Sequence, residues 1–175
     1  IEWYGDNVSV KHNLVDTFCT VRDDGGGIYS WETAAGNQPW IRYNRTIDSN
    51  IVLNGIGQSF GTPSKSESSN VGIYVDDNTR NVRIMGNTIA YVRGNGIHGN
   101  GNDTNTIVYN TFFYCGNSIS MQRLAKESEI RGMIIKNNIM YPYRFRYRNL
   151  TINLEKLLTK EQDVFAMGVL DSNYY

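Results

Sequence analysis

Side chains that move protons recur in this sequence behind one repeated element. The segments "GGIYSWE", "VGIYVDD", "NGIHGNG" and "NSISMQR" align so that Tyr29, Tyr74, His98 and Ser120 share a column, each one residue past an isoleucine. Two positions on stand Trp31, Asp76, Asn100 and Gln122, and the next column holds Glu32, Asp77, Gly101 and Arg123. Two carboxyl groups held close together divide into a proton donor and a base or nucleophile. Glu32 and Asp77 are the leading pair, while Asp23, Asp24 and Asp76 offer wider pairings. His98, flanked by Gly96 and Gly99, is placed to act as a general base or to orient a bound molecule. The second histidine, His12, lies beside Asn13 in another element. Nothing matches a zinc, P-loop or dinucleotide motif. The acidic loop "RDDGGG" (22 to 27) suggests calcium as the one possible cofactor.

These columns form a surface only if the segments carrying them stack, and a second pattern predicts that they do. Six segments centre on asparagine: "VSVKHNLV", "TIDSNIV", "VRIMGNTI", "TIVYNTF", "MIIKNNIM" and "GVLDSNYY", with anchors at Asn13, Asn50, Asn87, Asn110, Asn138 and Asn173. Three residues before each anchor is an apolar residue: Val10, Ile47, Ile84, Ile107, Ile135 and Leu170. Two residues after each is another: Val15, Val52, Ile89, Phe112, Met140 and Tyr175. The second element adds Ile28, Ile73, Ile97 and Ile119. Short β-branched runs bounded by Gly and Asn read as strands. A pattern repeating at intervals of 37, 37, 23, 28 and 35 residues reads as a solenoid. The expected role of the anchors is structural: Asn at a tight bend bonds local backbone and tolerates the left-handed conformation. If the isoleucines point inward, period-two alternation turns Tyr29, Trp31, Tyr74, Asp76, His98 and Asn100 outward. Glu32 and Asp77, on consecutive coils, would then stand ~5 Å apart at the backbone.

Composition agrees with strands. There are 21 Asn and only 5 Ala among 175 residues, which excludes an all-helical protein. Seventeen basic and seventeen acidic side chains cancel, so a strongly basic nucleic-acid binder is disfavoured. No run approaches the ~18 apolar residues of a membrane-spanning helix. Cys19 and Cys115 are too few for a disulfide scaffold and, three coil steps apart, are not expected to bond to each other. The chain opens at Ile1 without Met and closes inside its own pattern, so it reads as part of a longer protein.

The stretch "GIYVDDNTRNVRIMGNTIAYVRGNGIHGNGNDTNTIVYNTF" resembles the right-handed parallel β-helix proteins of the pectate-lyase-like group, and the likeness runs from about Val8 to Tyr141. It implies an all-β, right-handed parallel β-helix of about five to six coils, with residues 1–175 forming part of one domain. Loop insertions are expected near 54–70, and an excursion from the coil at about 141–163, where "YPYRFRYRNLTINL" alternates like a strand and "LEKLLTKEQDVF" has helical spacing. The resemblance further implies a secreted or cell-surface protein whose partner is a polysaccharide or oligosaccharide, with neither nucleic acid nor membrane insertion. Rings for stacking and polar groups for hydroxyls suit that ligand. Tyr29, Trp31, Tyr74, Asn100 and Arg123 would bind it, and Glu32, Asp76, Asp77 and His98 would carry catalysis. Glycosidic hydrolysis is the leading chemistry. The paired Asp76-Asp77 with "GIHG" one coil later is similar to polygalacturonases, although here the acids follow their strand instead of preceding it. The alternatives are a polysaccharide lyase, with Arg22, Arg80, Arg123 or Lys126 as cation or base, and a non-catalytic glycan-binding or adhesive β-helix.

Overall fold

The computed structural model describes residues 1–21, 23–32, 42–59, 62–63, 70–101, 103–122, 130–142, 150–153 and 167–175. The path repeats one motif. A first pass runs through β1 (Ser9–Lys11), β2 (Leu14–Phe18) and β3 (Gly26–Trp31), and a second through β4 (Arg45–Asp48), β5 (Ile51–Gly55), β6 (Gln58–Ser59), β7 (Thr62–Pro63) and β8 (Val71–Asp76). The third comprises β9 (Val82–Met85), β10 (Thr88–Val92) and β11 (Asn95–Asn100); the fourth comprises β12 (Thr106–Val108), β13 (Thr111–Cys115) and β14 (Asn117–Gln122). The fifth holds β15 (Met133–Lys136), β16 (Ile139–Pro142) and β17 (Leu150–Asn153), after which β18 (Gly168–Asp171) begins another. Corresponding strands pair in parallel, giving three stacked sheets ordered β1-β4-β9-β12-β15-β18, β16-β13-β10-β5-β2 and β17-β14-β11-β8-β3. The chain is all-β and solenoid-like, and no helix occurs among the described residues.

The expected columns are the observed registers. Val10, Ile47, Ile84, Ile107, Ile135 and Leu170 align across the first sheet. Val15, Val52, Ile89, Phe112 and Met140 align across the second. Ile28, Ile73, Ile97 and Ile119 align across the third and are fully buried. Each such isoleucine contributes roughly 1.5–3 kcal/mol by leaving water.

Asparagine does more than turn the chain. The Nδ2 of Asn13, Asn50, Asn87, Asn110 and Asn138 donates to the Oδ1 of the next anchor at 2.9, 2.9, 2.9, 3.1 and 2.9 Å. The same Oδ1 atoms accept the backbone N–H of the preceding anchor. The four central anchors are buried. The left-handed conformation expected of the anchors falls instead on the residue before each: His12, Ser49, Gly86, Tyr109, Asn137 and Ser172. The bend is therefore made one residue earlier, and the carboxamide is free to satisfy backbone groups inside. At a later corner, a side chain at Gly72 or Gly96 would collide with Ile89 or Phe112, at 2.5 and 2.6 Å from the added carbon. That close approach explains the glycine before Ile73 and Ile97.

Two of the expected insertions contain described strands. The 54–70 insertion contains an antiparallel pair, Gln58 opposite Pro63 and Ser59 opposite Thr62. Within the supposed excursion at 141–163, Leu150–Asn153 continues the third sheet, with Thr151 in register with Ser120. Leu150–Asn153 is thus a coil strand. The helical spacing at 154–165 and Arg144, Arg146 and Arg148 lie outside the described residues.

Candidate functional site

The third sheet builds the site. Its parallel registers put Tyr29 beside Tyr74, Tyr74 beside His98 and His98 beside Ser120. The rings stack along the axis: Tyr29 and Tyr74 centroids are 5.4 Å apart, and Tyr74 and His98 centroids 5.2 Å apart. Tyr74 is only 7% exposed, because the flanking rings cover it. The accessible members of the column are therefore Tyr29 and His98, and Tyr74 serves as the filling between them. Trp31, in register with Asp76, is exposed and meets Tyr4 edge-on at 6.3 Å.

Asp76 is the hub. Its Oδ2 accepts the Tyr29 hydroxyl at 3.1 Å, and its Oδ1 accepts Asn100 Nδ2 at 3.0 Å and the Asp77 backbone N–H at 2.9 Å. Asn100 Nδ2 also reaches Asp77 Oδ1 at 3.4 Å. One amide thus bridges two adjacent carboxyl groups. Asp77 sits on a left-handed turn with Asn78, which folds its side chain back towards Asp76. Burial, then the neighbouring Asp76 and Asp24 charges, raise the Asp77 carboxyl above its ordinary value. Burial, and after it Asp76, raise both phenols, with Asp77 adding to the rise at Tyr29 and Asp24 at Tyr74, so both keep their protons. His98 Nδ1 lies 3.2 Å from the Ser120 carbonyl. A carbonyl only accepts, so Nδ1 carries the proton and Nε2 keeps its lone pair. Burial lowers the His98 pKa more than the Ser120 bond, Asp76 and Asp24 raise it, favouring the neutral ring.

Glu32 departs from its expected place. Its backbone is where the alignment put it, with N–H donating to Asp77 O at 3.0 Å. Its side chain is buried, however, with Oε1 at 2.9 Å from Arg45 Nη2 and 3.1 Å from Arg42 Nε. Arg45 has no exposed side-chain surface, bonds the Arg80 carbonyl at 2.8 Å and lies over the Trp3 ring at 4.8 Å. The Glu32 carboxylate is therefore committed to guanidinium groups, while the Asp77 carboxyl faces Asp76, Asp24 and Asn100. The structure brings Tyr29, Tyr74, His98, Asp76, Asp77 and Asn100 together and sets Glu32 apart. Arg123 lies outside the described residues, as do Arg22 and Lys126.

No group of three or more His, Cys, Asp and Glu side chains among the described residues is arranged to hold a metal ion. Cys19 and Cys115 are free, on the first and fourth passes. Sequence reasoning overlooked an exposed aromatic group on the second sheet, where Tyr91, Phe113, Tyr114 and Tyr141 pack ring against ring, Phe113 and Tyr141 at 5.5 Å. Its signal was present in "AYV", "FFYC" and "MYP", directly after three anchors. No family profile, curated protein or solved structure matches the chain.

Proposed function

We propose that the chain belongs to a secreted or cell-surface, right-handed parallel β-helix protein of the pectate-lyase-like kind that binds a polysaccharide along its third sheet and hydrolyses a glycosidic bond. The observation that carries this reading is the joining of Asp76 and Asp77 through Asn100, beside the Tyr29–Tyr74–His98 column. Asp77, with its raised pKa, is the proton donor to the glycosidic oxygen. Asp76, fixed by three hydrogen bonds, stabilises the positive charge that develops on the sugar. Tyr29 and Trp31 offer ring faces for stacking. Calcium, if bound, belongs to the Asp23–Asp24 loop and supplies no step here.

One observation favours the lyase alternative. His98 presents a neutral Nε2 lone pair, which is what abstraction of a sugar ring proton requires. The products separate the readings. A polysaccharide panel is incubated with the protein and read for reducing ends and for the ultraviolet absorbance of unsaturated ends. Hydrolysis gives the first alone and elimination gives both; a binding module gives neither. On a cleaved substrate, Asp76→Asn and Asp77→Asn should each lower turnover by about 10²-fold or more with the fold intact. Full activity in both variants would refute the carboxylate assignment.

A further inference from the structure

We infer that the glycan taken by this face is cationic, a polymer of amino sugars with free amines, in preference to a polyuronate. The inference rests on the glycan reading above and specifies its substrate class. It starts from the count of hydrogen-bond and charge partners. Asp24 and Asp76 act on the same groups, both bearing on Tyr74, His98 and Asp77. The Tyr29 hydroxyl is spent on Asp76, and the His98 Nδ1 proton on Ser120. Asn100 spends its amide on both acids, which leaves its Oδ1 buried and without a donor. Apart from the Asp77 proton, the face is thus rich in acceptors, and the remaining donors must come from the ligand.

Five of the described cations are engaged with other groups. Arg42 and Arg45 are bound to Glu32, away from the acids of the site. Lys11 and Lys136 pair with Asp48 and Asp171 on the first sheet. Arg80, three residues past Asp77, lies 3.7 Å from Asp103 and donates to the Asn78 carbonyl. A uronate carboxylate laid against Asp76 would meet like charge in a partly desolvated setting, while an ammonium would meet opposite charge and make charge-assisted hydrogen bonds. Hydroxyls and ammonium groups are both donors, and a protonated amino sugar brings both.

The test is binding of three tetrasaccharides to the intact chain, followed by calorimetry and by the NMR signals of Tyr29 and His98. The probes are a glucosamine tetramer, its N-acetylated counterpart and a galacturonate tetramer. The glucosamine tetramer should bind about 10-fold tighter than the N-acetylated form, and its affinity should fall as salt rises. Asp76→Asn, checked for an unchanged circular dichroism spectrum, should remove most of that preference. Equal affinity for the first two probes, or tighter binding of the galacturonate tetramer, would overturn the charge inference and leave the glycan reading standing. If no probe of any charge bound, the glycan reading itself would fall, and this inference with it.

Discussion

Replacing Glu32 with glutamine tests the division between scaffold and site. In the folded chain its carboxylate faces Arg45, whose side chain is 0% exposed, and Arg42, which is 19% exposed. Breaking a buried pair costs ~3–5 kcal/mol, because the remaining charge stays buried without its counter-charge. Glutamine keeps one carbonyl oxygen for Arg45 Nη2, so the expected loss is at the low end, ~3 kcal/mol. For a chain of this size each kcal/mol moves the midpoint by ~2–4 °C, so Tm should drop by ~6–12 °C. Because stacked coils interact mainly with their neighbours, the loss should be local. Amide exchange should quicken first in β3 and β4, on either side of Glu32, and least in β13 and β14. Arg45→Met should cost a similar amount, and the double variant less than the two together, since both remove one interaction. Turnover per folded molecule should be unchanged. A Glu32→Gln protein with wild-type melting and lost activity would refute the placement and return Glu32 to the reacting pair.

Asn110→Ala should destabilise by roughly 1–3 kcal/mol, since it strips the buried Asn87 N–H of its acceptor and leaves Asn87 Nδ2 only the Ile47 and Met85 carbonyls; urea melts would show it, and a loss under 1 kcal/mol would mean the amide column adds little. Gly96→Ala should cost ~1–3 kcal/mol by overpacking, because its new carbon meets Phe112 and the Ser118 carbonyl, each at 2.6 Å; a neutral result would show that the corner relaxes freely. His98 titrates in the folded chain below the ordinary 6.5 and the unfolded chain binds that proton more readily. Its stabilising contribution is therefore complete above pH ~6.5 and is lost as pH falls through the folded value; His98→Gln should flatten that slope, and an unchanged slope would place the titration elsewhere. Thiol labelling should find Cys19, raised to about 11 by burial and then by Asp23 and Asp24, slow at neutral pH, and Cys115, raised to about 12, slower still until unfolding.

The stacking order was legible because it is written in backbone-level regularities. Ile47, Ile84, Ile107 and Ile135 occupy one column whatever the loops between them do, and a period-two strand admits a single inward face. The outward column of Tyr29, Tyr74 and His98 followed from the same alternation. What alternation cannot report is a direction past a strand end. Trp31 and Asp76 are the last residues of β3 and β8, so Glu32 and Asp77 already lie past the strand ends, and equal backbone positions no longer imply equal side-chain directions. Asp77 folds back through a left-handed turn onto Asp76, while Glu32 follows Arg45, a partner 13 residues away that no local pattern announces. The closure of Tyr74 was illegible for a related reason: exposure depends on two neighbouring coils at once. The alternation around "LTIN" announced a strand, but its place in the third sheet depends on pairing with Ile119–Gln122 of the previous coil, which no local pattern reports.

The asparagine column also separates alignment from length. Successive anchors are 37, 37, 23, 28 and 35 residues apart, yet each reaches the next with nearly the same hydrogen bond. The perimeter of each coil can therefore change by more than a dozen residues without shifting the rungs on either side. Every amide also donates in one direction, so the column has a polarity that a reversed coil could not join. A scaffold of this kind lets outer loops be exchanged, lengthened or trimmed as independent parts while Tyr29, Asp76 and His98 stay on their rungs.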